Sequence, residues 1–236
     1  MKPENHQADS PLKRQVILIS GGSSELAGYT ALSLAKLGAC ICLCGRQADV
    51  LEYSAKKVRE AGGVCLPVVS ELESLESAGT VLNQCLEVFH KLDVLIIVSP
   101  FWAGGFIHEH KLHTWDVVIS ANLREAFILS RTVLPYFRGQ KSGQIMSIGS
   151  ESGLTVYPQD GAYNVAMHGL NSLMELIRLE NSEFGIRTHS LSPGLALADE
   201  FDAEGKPILS MQDICEWVIF LLERPPHLRS SNPILI

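Results

Sequence analysis

Val16-Ile17-Leu18-Ile19-Ser20-Gly21-Gly22-Ser23-Ser24-Glu25-Leu26-Ala27 passes from an apolar strand-type run, through a turn of small residues, into the opening of a helical pattern. Consecutive apolar residues suit a strand buried on both faces, and the glycines suit a turn that lets another group come close to the backbone. The same switch recurs along the chain. Val16–Ile19, Cys40–Cys44, Val64–Val69, Val94–Val98, Ile145–Ile148 and Thr188–Leu191 read as buried strands. Leu26–Leu37, Val50–Ala61, Leu75–His90, Thr114–Phe137 and Ala162–Phe184 read as helices, followed by Asp213–Leu222 and a last short strand at Ile234–Ile236. Right-handed crossovers place helices above and below such a sheet. The expectation is an α/β fold: one doubly wound parallel sheet, single domain, in three layers.

Composition sets the outer limits. A chain of 236 residues with no linker-like stretch fits one domain of the larger kind, and 46% hydrophobic residues supply a sizeable core. Residues 1–14 are polar and unpatterned, so a flexible N-terminal tail is expected ahead of a domain at 15–236. A formal charge of −7 argues against a nucleic-acid partner. With no signal-peptide pattern and no apolar run of roughly 18 residues, the expectation is a soluble, cytoplasmic protein without a membrane partner. The six cysteines lack paired metal spacing; Cys40, Cys42 and Cys44 alternate, which points all three to one side of a strand. Small buried thiols are favoured over a metal or redox role. His108, Glu109, His110 and His113 share one loop, where a solvated cluster is favoured over a metal site.

Ser150 follows the fifth strand, and Tyr163 comes thirteen residues later in Gly161-Ala162-Tyr163-Asn164-Val165-Ala166-Met167-His168. This spacing resembles the Ser…Tyr-x-x-x-Lys active site of the short-chain dehydrogenase/reductase family, whose Rossmann-like domain moves hydride to or from NAD(P). The likeness runs from about Gln15 to the C-terminus. Ser20-Gly21-Gly22-Ser23-Ser24-Glu25-Leu26-Ala27 resembles the family's Thr-Gly-x-x-x-Gly-x-Gly turn, in the required strand–turn–helix context. Thr114-Trp115-Asp116 with Ala121-Asn122-Leu123 resembles its next helix, and Ser192-Pro193-Gly194 its turn after the sixth strand. The resemblance implies catalytic roles for Asn122, Ser150 and Tyr163. It implies cofactor contacts at Gly21, Ser23, Ser24, Leu26, Arg46, Pro193 and Gly194. Cys44-Gly45-Arg46 looks like the NADP type, with Arg46 placed for a 2′-phosphate; the plainer alternative is a solvated arginine at a strand end. Glu71 stands where the family commonly has an aspartate near the adenine.

Three departures from the family pattern bear on function. Met167 stands where the lysine is expected, and a thioether has no charge with which to lower a phenol that titrates near ~10. His168, about 100° further round the helix, is a poor substitute. Ile97-Val98-Ser99-Pro100 replaces Asn-Asn-Ala-Gly, which removes two side-chain amides and a backbone N–H. Glu25 replaces a glycine of the turn; its carboxylate either swings into solvent or caps the helix start and occupies the anion site. Without the lysine Asn122 has no proton to relay, and a structural role in bending a long helix is favoured. The segment Leu195–Ser210 is short for a substrate lid. Positions 115–138 and 162–184 correspond to the helices that pair in family dimers and tetramers; Phe127, Leu134, Leu170, Leu173 and Leu176 suit either that or core.

Two functions follow. The favoured one is a divergent member with impaired or absent dehydrogenase activity and a binding, regulatory or assembly role. The alternative is an active NADP(H)-dependent oxidoreductase acting on a small carbonyl or alcohol through an atypical Asn-Ser-Tyr site.

Overall fold

The computed structural model describes residues 10–99, 101–194, 209–225 and 233–236. Pro100, most of the Leu195–Ser210 segment and Pro226-His227 lie outside the described residues. Strands β1 (Val16–Ile19), β2 (Cys40–Gly45), β3 (Val64–Val69), β4 (Val94–Val98), β5 (Gly143–Ile148), β6 (Ile186–Ser192) and β7 (Ile234–Leu235) alternate with helices. The helices are α1 (Glu25–Lys36), α2 (Ala48–Glu60), α3 (Leu75–Phe89), α4 (Leu112–Ile119), α5 (Glu125–Gln140), α6 (Gly161–Asn181) and α7 (Met211–Leu222). All strands are parallel, in the order β3-β2-β1-β4-β5-β6-β7. This is the α/β, doubly wound architecture expected from the alternation.

Each face of the sheet buries its own core, which is what makes three layers. On one side Cys42, Cys44, Leu95 and Ile145 meet Val81, Cys85, Val133, Phe137 and Leu170 from α3, α5 and α6. On the other Ile17, Ile41, Leu43 and Ile96 meet Leu34, Leu51, Val58 and Val218 from α1, α2 and α7. Each such side chain contributes about 1.5–3 kcal/mol by leaving water. β1, β4 and β5 are buried throughout; β1 and β4 read as unbroken apolar runs, whereas β5 buries Gln144 and Ser147 among its apolar residues. Cys40, Cys42 and Cys44 do share one face, and all six cysteines are free thiols.

One boundary differs from expectation. Residues 10–14, assigned to a flexible tail, are packed: Leu12 is 0% exposed, and the Arg14 N–H donates to Gly38 O at 2.8 Å. A single leucine in a polar stretch carries no periodic signal, so its burial between distant elements was invisible locally. Among the described residues, no helix is long and apolar enough to cross a membrane.

The strand order reverses between β1 and β4. Chains leave β1 and β4 in opposite directions there, and the crevice opened at their carboxyl ends is where ligands bind in open α/β sheets.

Candidate functional site

The turn after β1 is held tightly against β4. Gly21 has φ +68°, and a Cβ there would sit 2.5 Å from the Val98 carbonyl oxygen, so only glycine allows this approach. The Gly22 N–H donates to Cys44 O at 2.8 Å and ties the turn to β2. Ser24 is the N-cap of α1: its Oγ accepts the Ala27 N–H at 3.3 Å. The N–H groups of Glu25 and Leu26, in the first turn, have no intrahelical acceptor. Glu25 is exposed and makes no hydrogen bond or ion pair among the described residues. The idea that its carboxylate caps the helix and fills the anion site is therefore corrected: Ser24 does the capping.

Ser23 and Arg46 are committed to protein partners. Ser23 Oγ accepts the N–H groups of Arg46 at 3.2 Å and Gln47 at 3.1 Å, which joins the turn to the start of α2. The Arg46 guanidinium pairs with the Glu125 carboxylate at the start of α5. Neither the free 2′-phosphate ligand nor the merely solvated arginine anticipated this pairing. Glu71 is exposed.

Asn122 lies in a π turn, Ser120–Arg124, which joins α4 to α5. The single long helix read from sequence is thus interrupted there. Asn122 is fully buried; its amide nitrogen donates to Phe101 O at 2.7 Å and Val118 O at 3.0 Å, and its oxygen accepts the Phe101 N–H at 3.2 Å. The widened turn leaves the Asn122 carbonyl to accept the Ser99 hydroxyl at 3.2 Å. The side chain thus anchors the loop after β4.

Ser150 and Tyr163 come together across a cavity of about 540 Å³ lined also by Leu26, Trp102, Pro193 and Gly194. Ser150 sits at the end of β5, and its Oγ accepts the Ser152 N–H at 3.2 Å. Tyr163 lies in the first turn of α6 and is 9% exposed. Burial pushes its phenol above the ordinary value; the Ser150 hydroxyl beside it pulls the other way, and the Asp160 carboxylate adds to the rise. Met167, one helical turn on, is 1% exposed and packs with its sulfur near Gly149. His168 faces away, exposed, with Nδ1 2.9 Å from Asn164 O.

Two residues of this site escaped the sequence reading. Asp160 receives the Ser152 hydroxyl at 2.8 Å and the Trp102 indole N–H at 3.3 Å, which holds a negative charge beside the phenol. Asn164 donates to Ser152 O at 2.7 Å and Thr155 O at 3.1 Å and accepts the Tyr157 N–H at 3.1 Å, folding the loop after Ser150 over α6. An acid just ahead of a helix was the one available signal for Asp160. Among the described residues no group of three or more His, Cys, Asp or Glu could hold a metal ion.

The short chain dehydrogenase family model matches residues 15–206. The chain belongs to this family. An uncharacterized oxidoreductase of Staphylococcus saprophyticus is 26% identical over 225 residues, covering 94% of this chain and 96% of that one. The NAD+-bound xylitol dehydrogenase superposes with a TM-score of 0.85 at 20% identity, covering 96% of this chain and 98% of the other. An alcohol dehydrogenase from Thermococcus sibiricus, complexed with 5-hydroxy-NADP, does so at 0.83 and 22%, covering 95% and 96%. At these identities the superpositions speak for the fold.

Family membership points to a nicotinamide cofactor, and the residues present fit one. The glycine turn of this short-chain dehydrogenase leaves the α1 terminus open to a pyrophosphate, with Gly21 pressed on Val98 to make room. Ser150, Tyr163, Pro193 and Gly194 line the cavity at the other end. Ile97 and Val98 are buried in the sheet and offer no side-chain hydrogen bonds there.

Proposed function

We propose that this chain is a divergent short-chain dehydrogenase that keeps a nicotinamide-nucleotide cleft, turns over slowly as a dehydrogenase, and acts chiefly through binding. The observation that carries this is the charge at the phenol. Met167 is buried where a cation would stand, and Asp160 is fixed beside Tyr163. Among the described residues lining the cavity there is no lysine, arginine or histidine. Oxidation of an alcohol requires the phenolate, and this surrounding raises rather than lowers the phenol. Of the three departures from the family pattern, Glu25 loses its weight because it lies in solvent; the apolar end of β4 and Met167 retain theirs.

A second reading has its own support. Ser150 and Tyr163 are adjacent, and a neutral phenol is the form that donates a proton to a carbonyl oxygen. A bound nicotinamide nucleotide supplies the hydride for such a reduction. In this reading Ser150 orients a small carbonyl substrate, Tyr163 gives the proton, and Asn122 only braces the loop after β4. The bound nucleotides of the two structural neighbours differ, and Arg46 favours NADP(H) here. Phe127 on α5 and Leu176 on α6 are exposed apolar residues, which supports a homodimer or tetramer paired through these helices, whereas Leu170 belongs to the core. The proposed location is the cytoplasm.

Calorimetric titration with NADPH and NADH, followed by a carbonyl and alcohol panel, separates the readings. A nucleotide at 100 times its Kd stabilises the fold by about 2.7 kcal/mol. Binding with little turnover supports the first reading, and saturable nucleotide consumption with an aldehyde or ketone establishes the second. No binding of either nucleotide overturns both.

A further inference from the structure

The adenosine end of the cleft holds an ion pair that closes across two elements. Arg46 leaves the end of β2 from backbone tied by Ser23 to the turn after β1. Its guanidinium meets the carboxylate of Glu125, the first residue of α5. The carboxylate is the enclosed partner, 16% exposed, and the guanidinium the open one at 47%. A phosphate arriving from solvent therefore reaches the cation readily but finds it already engaged.

We propose that Glu125 governs recognition of a ribose 2′-phosphate: a nucleotide carrying that group must take Arg46 from Glu125, whereas one lacking it leaves the pair intact. The inference rests on the nucleotide-cleft reading above and names the residue that sets selectivity within it.

A proton follows from this exchange. Burial pushes the Glu125 carboxyl up; the Arg46 cation opposes the rise, Glu73 ahead of α3 adds to it and Arg124 opposes it, with the result at about 7. Cys44 on β2, also close, is itself pushed up to about 12 by burial and by Glu125, so it stays neutral. Once a phosphate holds Arg46, Glu125 is left enclosed beside new negative charge, and its pKa rises further. The carboxylate then takes up a proton. Below about pH 7 Glu125 is already protonated, and the phosphate takes Arg46 without that cost. Above it, affinity for the phosphate-bearing nucleotide falls with pH, at most about tenfold per unit for one linked proton. The 2′-phosphate's own second ionisation, near ~6, acts in the opposite direction and is complete by then.

The test is calorimetric titration of the intact chain with NADPH and with NADH from about pH 6.5 to 8.5, in buffers of differing ionisation heat. The expected result is uptake of up to one proton per NADPH and none per NADH above pH 7. The NADPH-to-NADH affinity ratio falls several-fold over the same range. In Glu125→Gln and Glu125→Ala the ratio is flat above pH 7, and at the upper end NADPH binds more tightly than to the unaltered chain. The proton count is taken on the unaltered protein and does not depend on either variant folding. Both nucleotides binding with a pH-independent ratio and equal proton counts overturns this proposal alone. Neither binding at any pH overturns it together with the nucleotide-cleft reading.

Discussion

Met167→Lys is the sharpest probe of the phenol's surroundings. Met167 is 1% exposed and packs against the backbone of Gly149 and Gly153. Tyr163 stands four residues earlier, on the same face of α6. An ammonium placed here enters a site that now buries an uncharged thioether. An uncompensated buried charge costs about 3–5 kcal/mol. At about 2–4 °C per kcal/mol for a chain of this size, Tm should fall by roughly 6–20 °C. An ammonium that remains charged within about 4–6 Å of the phenol should lower its pKa by ~1–3 units. Each unit multiplies the phenolate population at a fixed pH below the pKa tenfold. The variant should therefore lose stability while its alcohol oxidation, if nucleotide binds, rises tenfold or more near neutral pH. Phenolate absorbance during a pH titration isolates the residue when each protein is compared with its Tyr163→Phe counterpart, since the chain has five tyrosines. An unchanged Tm together with an unchanged Tyr163 titration would refute the argument that Met167 replaces the tuning cation.

Leu12→Ala should cost about 2–5 kcal/mol in denaturant unfolding, because Leu12 is 0% exposed; a loss under about 0.5 kcal/mol would mean that residues 10–14 do not pack as described. His189 is buried on β6, with Nε2 3.3 Å from Gln144 Oε1 on β5, and burial lowers its pKa from 6.5 to about 4, with the Arg187 charge acting the same way. Between those values the unfolded chain binds a proton that the native chain does not, so this residue's contribution falls as pH drops from 6.5 to about 4 and then levels off. The total is about 3 kcal/mol at ~1.4 per unit. Urea unfolding of His189→Asn across that range should show a correspondingly shallower acid loss; parallel curves for the two proteins would show that His189 is not held neutral.

Much of the architecture was written locally. A strand buried on both faces favours apolar residues at every position, so β1 and β4 announced themselves, and the alternation with amphipathic helices implied parallel crossovers. The resemblance of the Ser150–Tyr163 spacing to the family's Ser…Tyr site likewise implied a meeting, and a strand end and the first turn of the next helix do share one edge of the sheet. The resemblance placed a bend at Asn122, but no local pattern showed that it would take the form of a π turn. Its sequence is acceptable in an ordinary helix, and the widening is stabilised by Ser99 and Phe101, more than twenty positions away. For Glu25 the sequence allowed two readings, solvent or helix cap; the side chain lies in solvent, and Ser24 is the residue that caps, at the Ala27 N–H.

From the residues alone came the layered parallel sheet and the glycine turn, and from their resemblance to the family pattern came the paired hydroxyls and the missing cation, since each depends on side-chain type at short separation. The folded chain decided which charges are spent and which are available. Arg46 with Glu125, Ser23 with the start of α2, and Trp102 with Asp160 are meetings between segments whose distance along the chain carries no information about contact. Electrostatic tuning acts over a few ångströms in space, so only tertiary structure could assign it.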